Sequence, residues 1–154
     1  MNHLIIFVVI VFLGTESFNS CYAENSIGMK VVSSNKDTTG SQMKIKIGNA
    51  VFTATLYDNA TANAFKNMLP LSINMNDLNG NEKYYYFTSI LPNKPNNPGK
   101  IDSGDIMLYG DNCLVIFYAS FNTSYSYTRV ARINDSAGLA AAFGAGNIMV
   151  TLEL

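Results

Sequence analysis

Gly104–Ile133 reads GDIMLYGDNCLVIFYASFNTSYSYTRVARI. Two polar turns, Gly110-Asp111-Asn112 and Asn122-Thr123-Ser124, divide it into three predicted strands, Asp105–Tyr109, Cys113–Phe121 and Tyr125–Ile133. Ile, Val, Phe and Tyr dominate these segments, and such side chains suit a pleated, half-buried surface. The middle segment is apolar almost throughout, which predicts cover on both of its faces. A doubly covered strand between two antiparallel neighbours points to a closed or strongly curved sheet. It points to no particular reaction.

Working outward toward the N-terminus, Pro92–Lys100 carries three prolines and a glycine and reads as an exposed loop. Tyr84–Leu91 is a predicted strand. Tyr84, Tyr85 and Tyr86 are consecutive, so their side chains must go to opposite faces of it. Asn79-Gly80 signals a turn, and Leu71–Met75 alternates as a strand. Met43–Ile47 alternates Met-Lys-Ile-Lys-Ile, which puts Lys44 and Lys46 in water. Gly48-Asn49 turns the chain into Ala50–Tyr57, giving a hairpin. Asp58-Asn59-Ala60-Thr61 supplies capping oxygens for a helix over Ala62–Leu69, with Phe65, Met68 and Leu69 on one stripe and Pro70 as its stop. On the C-terminal side, Asp135-Ser136 caps a short helix, Ala137–Phe143, which Gly144 and Gly146 end. Asn147–Leu154 is the last strand, with Ile148, Val150, Leu152 and Leu154 on one side. The expected class is mainly β: a closed antiparallel barrel of about eight strands with two short helices, sealed by the first hairpin and the last strand.

Ahead of this domain, Leu4–Leu13 (LIIFVVIVFL) has the length of a signal-peptide core and is too short to span a bilayer. Met1-Asn2-His3 lacks the usual Lys or Arg. Two cleavage readings stand beside a retained anchor. Cys21-Tyr22-Ala23 fits ordinary signal peptidase. Phe18-Asn19-Ser20-Cys21 fits a loose lipobox, with Cys21 as the lipidation candidate and the lipid as the membrane contact. Glu24–Gln42 is polar and without period and reads as a flexible tether, with Met29–Val32 as an alternative edge strand. The organisation is therefore 1–23 leader, 24–42 tether and 43–154 folded domain.

Composition narrows the chemistry. Net charge is −1, hydrophobic content 48% and charged content 14%, with Lys and Arg scattered, which argues against nucleic-acid binding. The one histidine is His3, so a Ser-His-Asp triad has no base and a zinc site has no His cluster. Asp102, Asp105 and Asp111 lack the loop pattern of a calcium site. No phosphate loop is present, and no metal or cofactor is expected. Cys113 reads as a buried small hydrophobe rather than a reactive thiol.

Four stretches together carry a family resemblance: IKIGNAVFTATLYDNATANAFKNMLP (Ile45–Pro70), EKYYYF (Glu82–Phe87), GDIMLYGDNCLVIFY (Gly104–Tyr118) and SYSYTRVARI (Ser124–Ile133). In this order the chain resembles the cyclophilin-like barrel, and within it the bacterial cyclophilin-like domains of unassigned function. The resemblance covers roughly Met43–Leu154. It implies an exported protein, periplasmic or outer-membrane-anchored in a Gram-negative bacterium. Under a bacterial source the three Asn-x-Ser/Thr sequences carry no meaning. The Phe-His-Arg and Phe-Met-x-Gln segments that form the proline pocket of true cyclophilins are absent, so their catalytic residues cannot be carried over.

Aromatics gathered near an arginine are typical of a binding patch and equally of a barrel core with hydroxyls at its rim. The ligand-binding candidates are Tyr86, Phe117, Phe121, Tyr127 and Arg129. The leading expectation is a binding module for a peptide or small molecule. The alternatives are a prolyl cis–trans isomerase with a rebuilt pocket, in which Arg129 polarises the twisted amide, and a structural envelope protein.

Overall fold

The computed structural model describes residues 40–154. The expected leader (1–23), nearly all of the expected tether and Cys21 lie outside the described residues.

The first strand, β1 (Gln42–Ile47), alternates as the sequence requires: Met43, Ile45 and Ile47 are buried and Lys44 and Lys46 exposed. It turns at Gly48 into β2 (Ala50–Leu56). Helix α1 (Ala60–Lys66) starts two residues before the expected Ala62, because Asn59 takes the cap and its side chain accepts from the Ala62 amide at 2.8 Å. It ends at Lys66 rather than Leu69. The Met68 and Leu69 amides close tight turns onto Phe65 and Lys66, and Pro70 rejects a helical residue before it.

Strands β3 (Leu71–Leu78) and β4 (Glu82–Tyr86) form a hairpin across Asn79-Gly80, both at positive φ (53° and 67°). Only Gly and Asn adopt two successive left-handed conformations readily, and the resulting twist matches the flanking strands. β4 is therefore drawn back from the expected Tyr84–Leu91. Beyond Tyr86 the backbone curls, and the Phe87 and Leu91 amides bond to the Asn112 and Asp111 carbonyls.

The remaining elements are β5 (Lys100–Ile101), β6 (Asp105–Tyr109), β7 (Cys113–Phe117), β8 (Phe121–Asn122), β9 (Thr128–Ile133), α2 (Leu139–Phe143) and β10 (Ile148–Glu153). β7 is buried at every position, as its apolar run predicts. The expected single strand Cys113–Phe121 breaks after Phe117. There the Tyr118 and Ala119 amides turn to the Asn81 carbonyl, and Phe121–Asn122 leaves the barrel to pair with Lys100–Ile101. The expected strand Tyr125–Ile133 likewise begins only at Thr128, with Tyr127 joined to Asn96 in an isolated bridge. Both departures have one cause: the chain detours to form a small two-stranded ribbon outside the barrel. α2 begins at Leu139 behind Gly138 (φ 77°), since Asp135 uses its carboxylate on the Ala137 amide and caps a turn ahead of the helix.

The strands close in the order β1-β10-β3-β4-β7-β6-β9-β2, an eight-stranded antiparallel barrel with no free edge. The first hairpin and the last strand do seal it, with β10 seated between β1 and β3. Its interior is filled by Ile45, Phe65, Met75, Ile106, Leu114, Ile116 and Val150 among others. A second apolar cluster, built on Ile101, Met107, Val115 and Phe117, lies on the opposite face of β6 and β7.

One charged side chain sits among the interior group. Lys83 is fully buried; its Nζ donates to Asp77 Oδ1 (2.7 Å) and to the Gly144 and Gly146 carbonyls (3.0 and 2.7 Å). The ammonium also lies over the Tyr118 and Phe143 rings, at 5.5 and 5.9 Å. Asp77 accepts a second bond from the Tyr118 hydroxyl at 2.6 Å. Burial, and then the Asp77 carboxylate, push the Tyr118 hydroxyl up from 10 to about 12. A folded-state value above the unfolded one means the stabilisation is complete below the unfolded value and is lost as pH rises through the folded one. Stability should therefore fall between pH 10 and about 12. In Tyr118→Phe that fall should be shallower in urea titrations; equal slopes would show that Tyr118 is not coupled to folding.

Candidate functional site

Alternation along β4 divides its side chains. Lys83 and Tyr85 go inward, and Glu82, Tyr84 and Tyr86 go outward. Across the ladder, Glu82 faces Phe117, Tyr84 faces Val115 and Tyr86 faces Cys113; Tyr109 of β6 also pairs with Cys113. This outer face is the floor of a groove of about 340 Å³. The β5–β8 ribbon and the segment through Tyr127 bank up one side of it. The ribbon is tied down by its own ladder, by the Thr123 amide on the Gly99 carbonyl (3.0 Å) and by the Asn96–Tyr127 bridge.

The walls are tyrosine rings set across one another. Tyr84 and Tyr86 meet edge to face (5.7 Å, 75°), as do Tyr109 and Tyr125 (6.1 Å, 88°), and Tyr109 also packs on Tyr127 (5.5 Å). Tyr86 and Tyr125 are 57% and 62% exposed, unusually open for such large rings. Phe117 lies fully buried beneath, between Phe121 (5.7 Å) and Tyr127 (5.5 Å).

Glu82 is the one charged residue lining the groove. No Lys or Arg of the described residues pairs with it, and burial raises its carboxyl above the ordinary value. Beside it Asn81 also lines the groove, and its Oδ1 is buried with no hydrogen-bond donor. Burial pushes the Cys113 thiol up to about 11, so it is protonated near neutrality and is no nucleophile. The groove thus offers ring faces, hydroxyls and one unpaired carboxylate.

Of the sequence candidates, Tyr86, Phe121 and Tyr127 line the groove and Phe117 supports it from below. Arg129 is elsewhere. It lines a separate notch with Asn59, Lys94 and Asn96. Its guanidinium donates to the Tyr57 hydroxyl (3.2 Å) and lies over that ring at 5.7 Å, with Asp105 at 3.9 Å. The Pro92–Lys100 loop, bonded to Tyr127 through Asn96 and to Thr128 through Lys94, forms the seam between the two depressions. Tyr118, only three residues before Phe121, packs away from the groove against Phe143. Glu82 and Tyr109 escape a reading that looks for clustered aromatics. Stepping back from Tyr86 by twos would have found Glu82, and the Tyr109–Cys113 hairpin pairing would have found Tyr109.

Two of the three carboxylates weighed for a cation site, Asp102 and Asp105, are already in use. Asp102 pairs with Lys100 (2.8 Å), and buried Asp105 accepts from Arg132 and from the Asp102 amide. Among the described residues no three His, Cys, Asp or Glu side chains converge, and no helix is long and apolar enough to cross a membrane.

A closed eight-stranded antiparallel barrel carrying two short helices fits the cyclophilin-like class. The profile of the cyclophilin-like family matches residues 45–153, and the chain belongs to that family. Among solved structures it is similar to a hypothetical protein from Archaeoglobus fulgidus, determined in solution. The two share 18% identity and a TM-score of 0.58, over 77% of this chain and 98% of the archaeal one. At that identity the likeness speaks for the fold alone. No curated protein matches the chain. Membership in the family fixes the barrel and assigns no activity.

Proposed function

We propose that the protein is an exported binding module that holds a peptide or small molecule in the groove bounded by Tyr84, Tyr86, Tyr109, Tyr125 and Tyr127. One observation carries this reading: solvent-exposed tyrosine rings stand across one another over a preformed depression of about 340 Å³, within the size range of small-ligand sites. Rigid aromatic rings give large contact area for little lost rotamer freedom, and they dominate binding hot spots. Export rests on the Leu4–Leu13 leader core, with Cys21 as the lipid attachment in the anchored form.

The isomerase alternative needs an apolar pocket with a cation or donor beside it to stabilise the twisted amide, the role read for Arg129. Arg129 belongs to the other notch and is engaged by Tyr57, which favours binding over catalysis.

Native mass spectrometry of the purified full chain tests the reading. The wild type should retain a small ligand or peptide that Tyr86→Ala/Tyr125→Ala loses, while Arg129→Ala keeps it. A proline-peptide isomerisation assay should show no acceleration. A ligand retained equally by the double variant would move the site away from the groove, and acceleration abolished by Arg129→Ala would favour the enzyme.

A further inference from the structure

We propose that the groove selects a cationic ligand: an alkylammonium group, such as a lysine side chain or a methylated amine, seated among the tyrosine rings and paired with Glu82. The inference rests on the groove being the binding site and specifies the chemistry of what it holds.

Three observations converge on a positive charge. The first is the crossed ring pairs, Tyr84 with Tyr86 and Tyr109 with Tyr125. Rings at such angles form adjacent walls of a cage, and the negative π-face of each attracts a cation. The second is Glu82. It is the single charged residue lining the groove and lacks a cationic partner among the described residues. Asp77, Asp102, Asp105 and Glu153 are matched by Lys83, Lys100, Arg132 and Lys46; Asp58, Asp111 and Asp135 also lack a cationic partner but do not line the groove. A half-buried carboxylate without a counter-charge is disfavoured by desolvation, and its raised proton affinity reports this. An ammonium arriving from outside supplies the missing charge. The third is Asn81, which also lines the groove and whose buried Oδ1 lacks a donor; a rotamer that turned this oxygen into the groove would accept an ammonium N–H.

An anionic ligand meets the opposite conditions. No Lys or Arg lines the groove, and its one charge would repel it. A purely apolar ligand would leave the Glu82 carboxylate desolvated and unpaired, which weakens its binding. A primary or methylated ammonium has both the charge for Glu82 and the alkyl surface for the rings.

The test uses the full chain and a pair of probes of similar size, tetramethylammonium and neopentyl alcohol, the second uncharged and carrying one hydroxyl. Binding is read from the ring resonances of Tyr84, Tyr86, Tyr109 and Tyr125 by NMR. Tetramethylammonium should bind saturably and at least tenfold more tightly than the alcohol. The near-isosteric Glu82→Gln should lower tetramethylammonium affinity about tenfold and leave the alcohol within about twofold. N-acetyl-lysine methylamide should compete with tetramethylammonium, and N-acetyl-norleucine methylamide should not. If the alcohol binds as well as the cation, or Glu82→Gln leaves cation affinity unchanged, the groove is a ligand site and the cationic selectivity is wrong. If neither probe moves the groove resonances, the groove reading falls together with it.

Discussion

Lys83→Ala is expected to lower the free energy of unfolding by about 3–5 kcal/mol, the range for breaking a buried pair by deleting one partner. The side chain is fully enclosed, and its ammonium serves one carboxylate and two backbone carbonyls at once. Alanine removes all three donors and the three methylenes beyond Cβ. The Gly144 and Gly146 carbonyls, which anchor the turn between α2 and β10, lose their partner. The Tyr118 and Phe143 rings face a void in place of a cation. Lys83→Met separates these contributions, since it refills most of the volume without restoring a donor; its loss should fall between wild type and alanine. Urea unfolding followed by tyrosine fluorescence measures all three. An unchanged midpoint for Lys83→Ala would mean that the interior charge contributes nothing to holding α2 and β10 in place.

Phe117→Ala should be destabilising by a similar amount, about 3–5 kcal/mol, the usual cost of removing a buried phenylalanine. The ring lies outside the barrel interior, yet it is wholly enclosed and wedged between Phe121 and Tyr127. Its loss should act on two properties together. Stability falls because a cavity opens, and binding in the groove falls because Phe121 and Tyr127 lose the surface that positions them. Tyr125→Ala is the contrast. Tyr125 is largely exposed, so its truncation should shift stability by no more than about 0.5 kcal/mol while still weakening ligand retention. If Phe117→Ala unfolds no more easily than Tyr125→Ala, the second apolar cluster is not a real packing unit.

The barrel was readable in the sequence because its signals are local. Met43–Ile47 alternates, β7 is apolar without interruption, and Asn79-Gly80 and Asn59 carry their turn and cap chemistry in their own side chains. The ribbon of Lys100–Ile101 and Phe121–Asn122 was not readable. Each half has two residues, too short to show a period, and their pairing joins segments separated by a full hairpin. The same detour explains the overlong strands expected through Phe121 and from Tyr125. Half of the groove was in view, since consecutive tyrosines must alternate and Tyr86, Phe121 and Tyr127 were singled out. Arg129 was misplaced because adjacency in sequence hid the seam made by the Pro92–Lys100 loop. Lys83 and Glu82 were passed over for a shared reason. Which of two neighbouring charged residues on a strand goes inward depends on the register against β7, and only the folded chain shows that register.

The strand that seals the cylinder, β10, is the last element of the fold, and both of its neighbours come much earlier in the chain. Until that segment pairs, β1 and β3 each present an open row of amides and carbonyls, ready to pair with any extended chain nearby. Closure must then wait for contacts between distant ends, which slows folding. Deleting β10 is therefore expected to leave an open, aggregation-prone sheet rather than a smaller barrel.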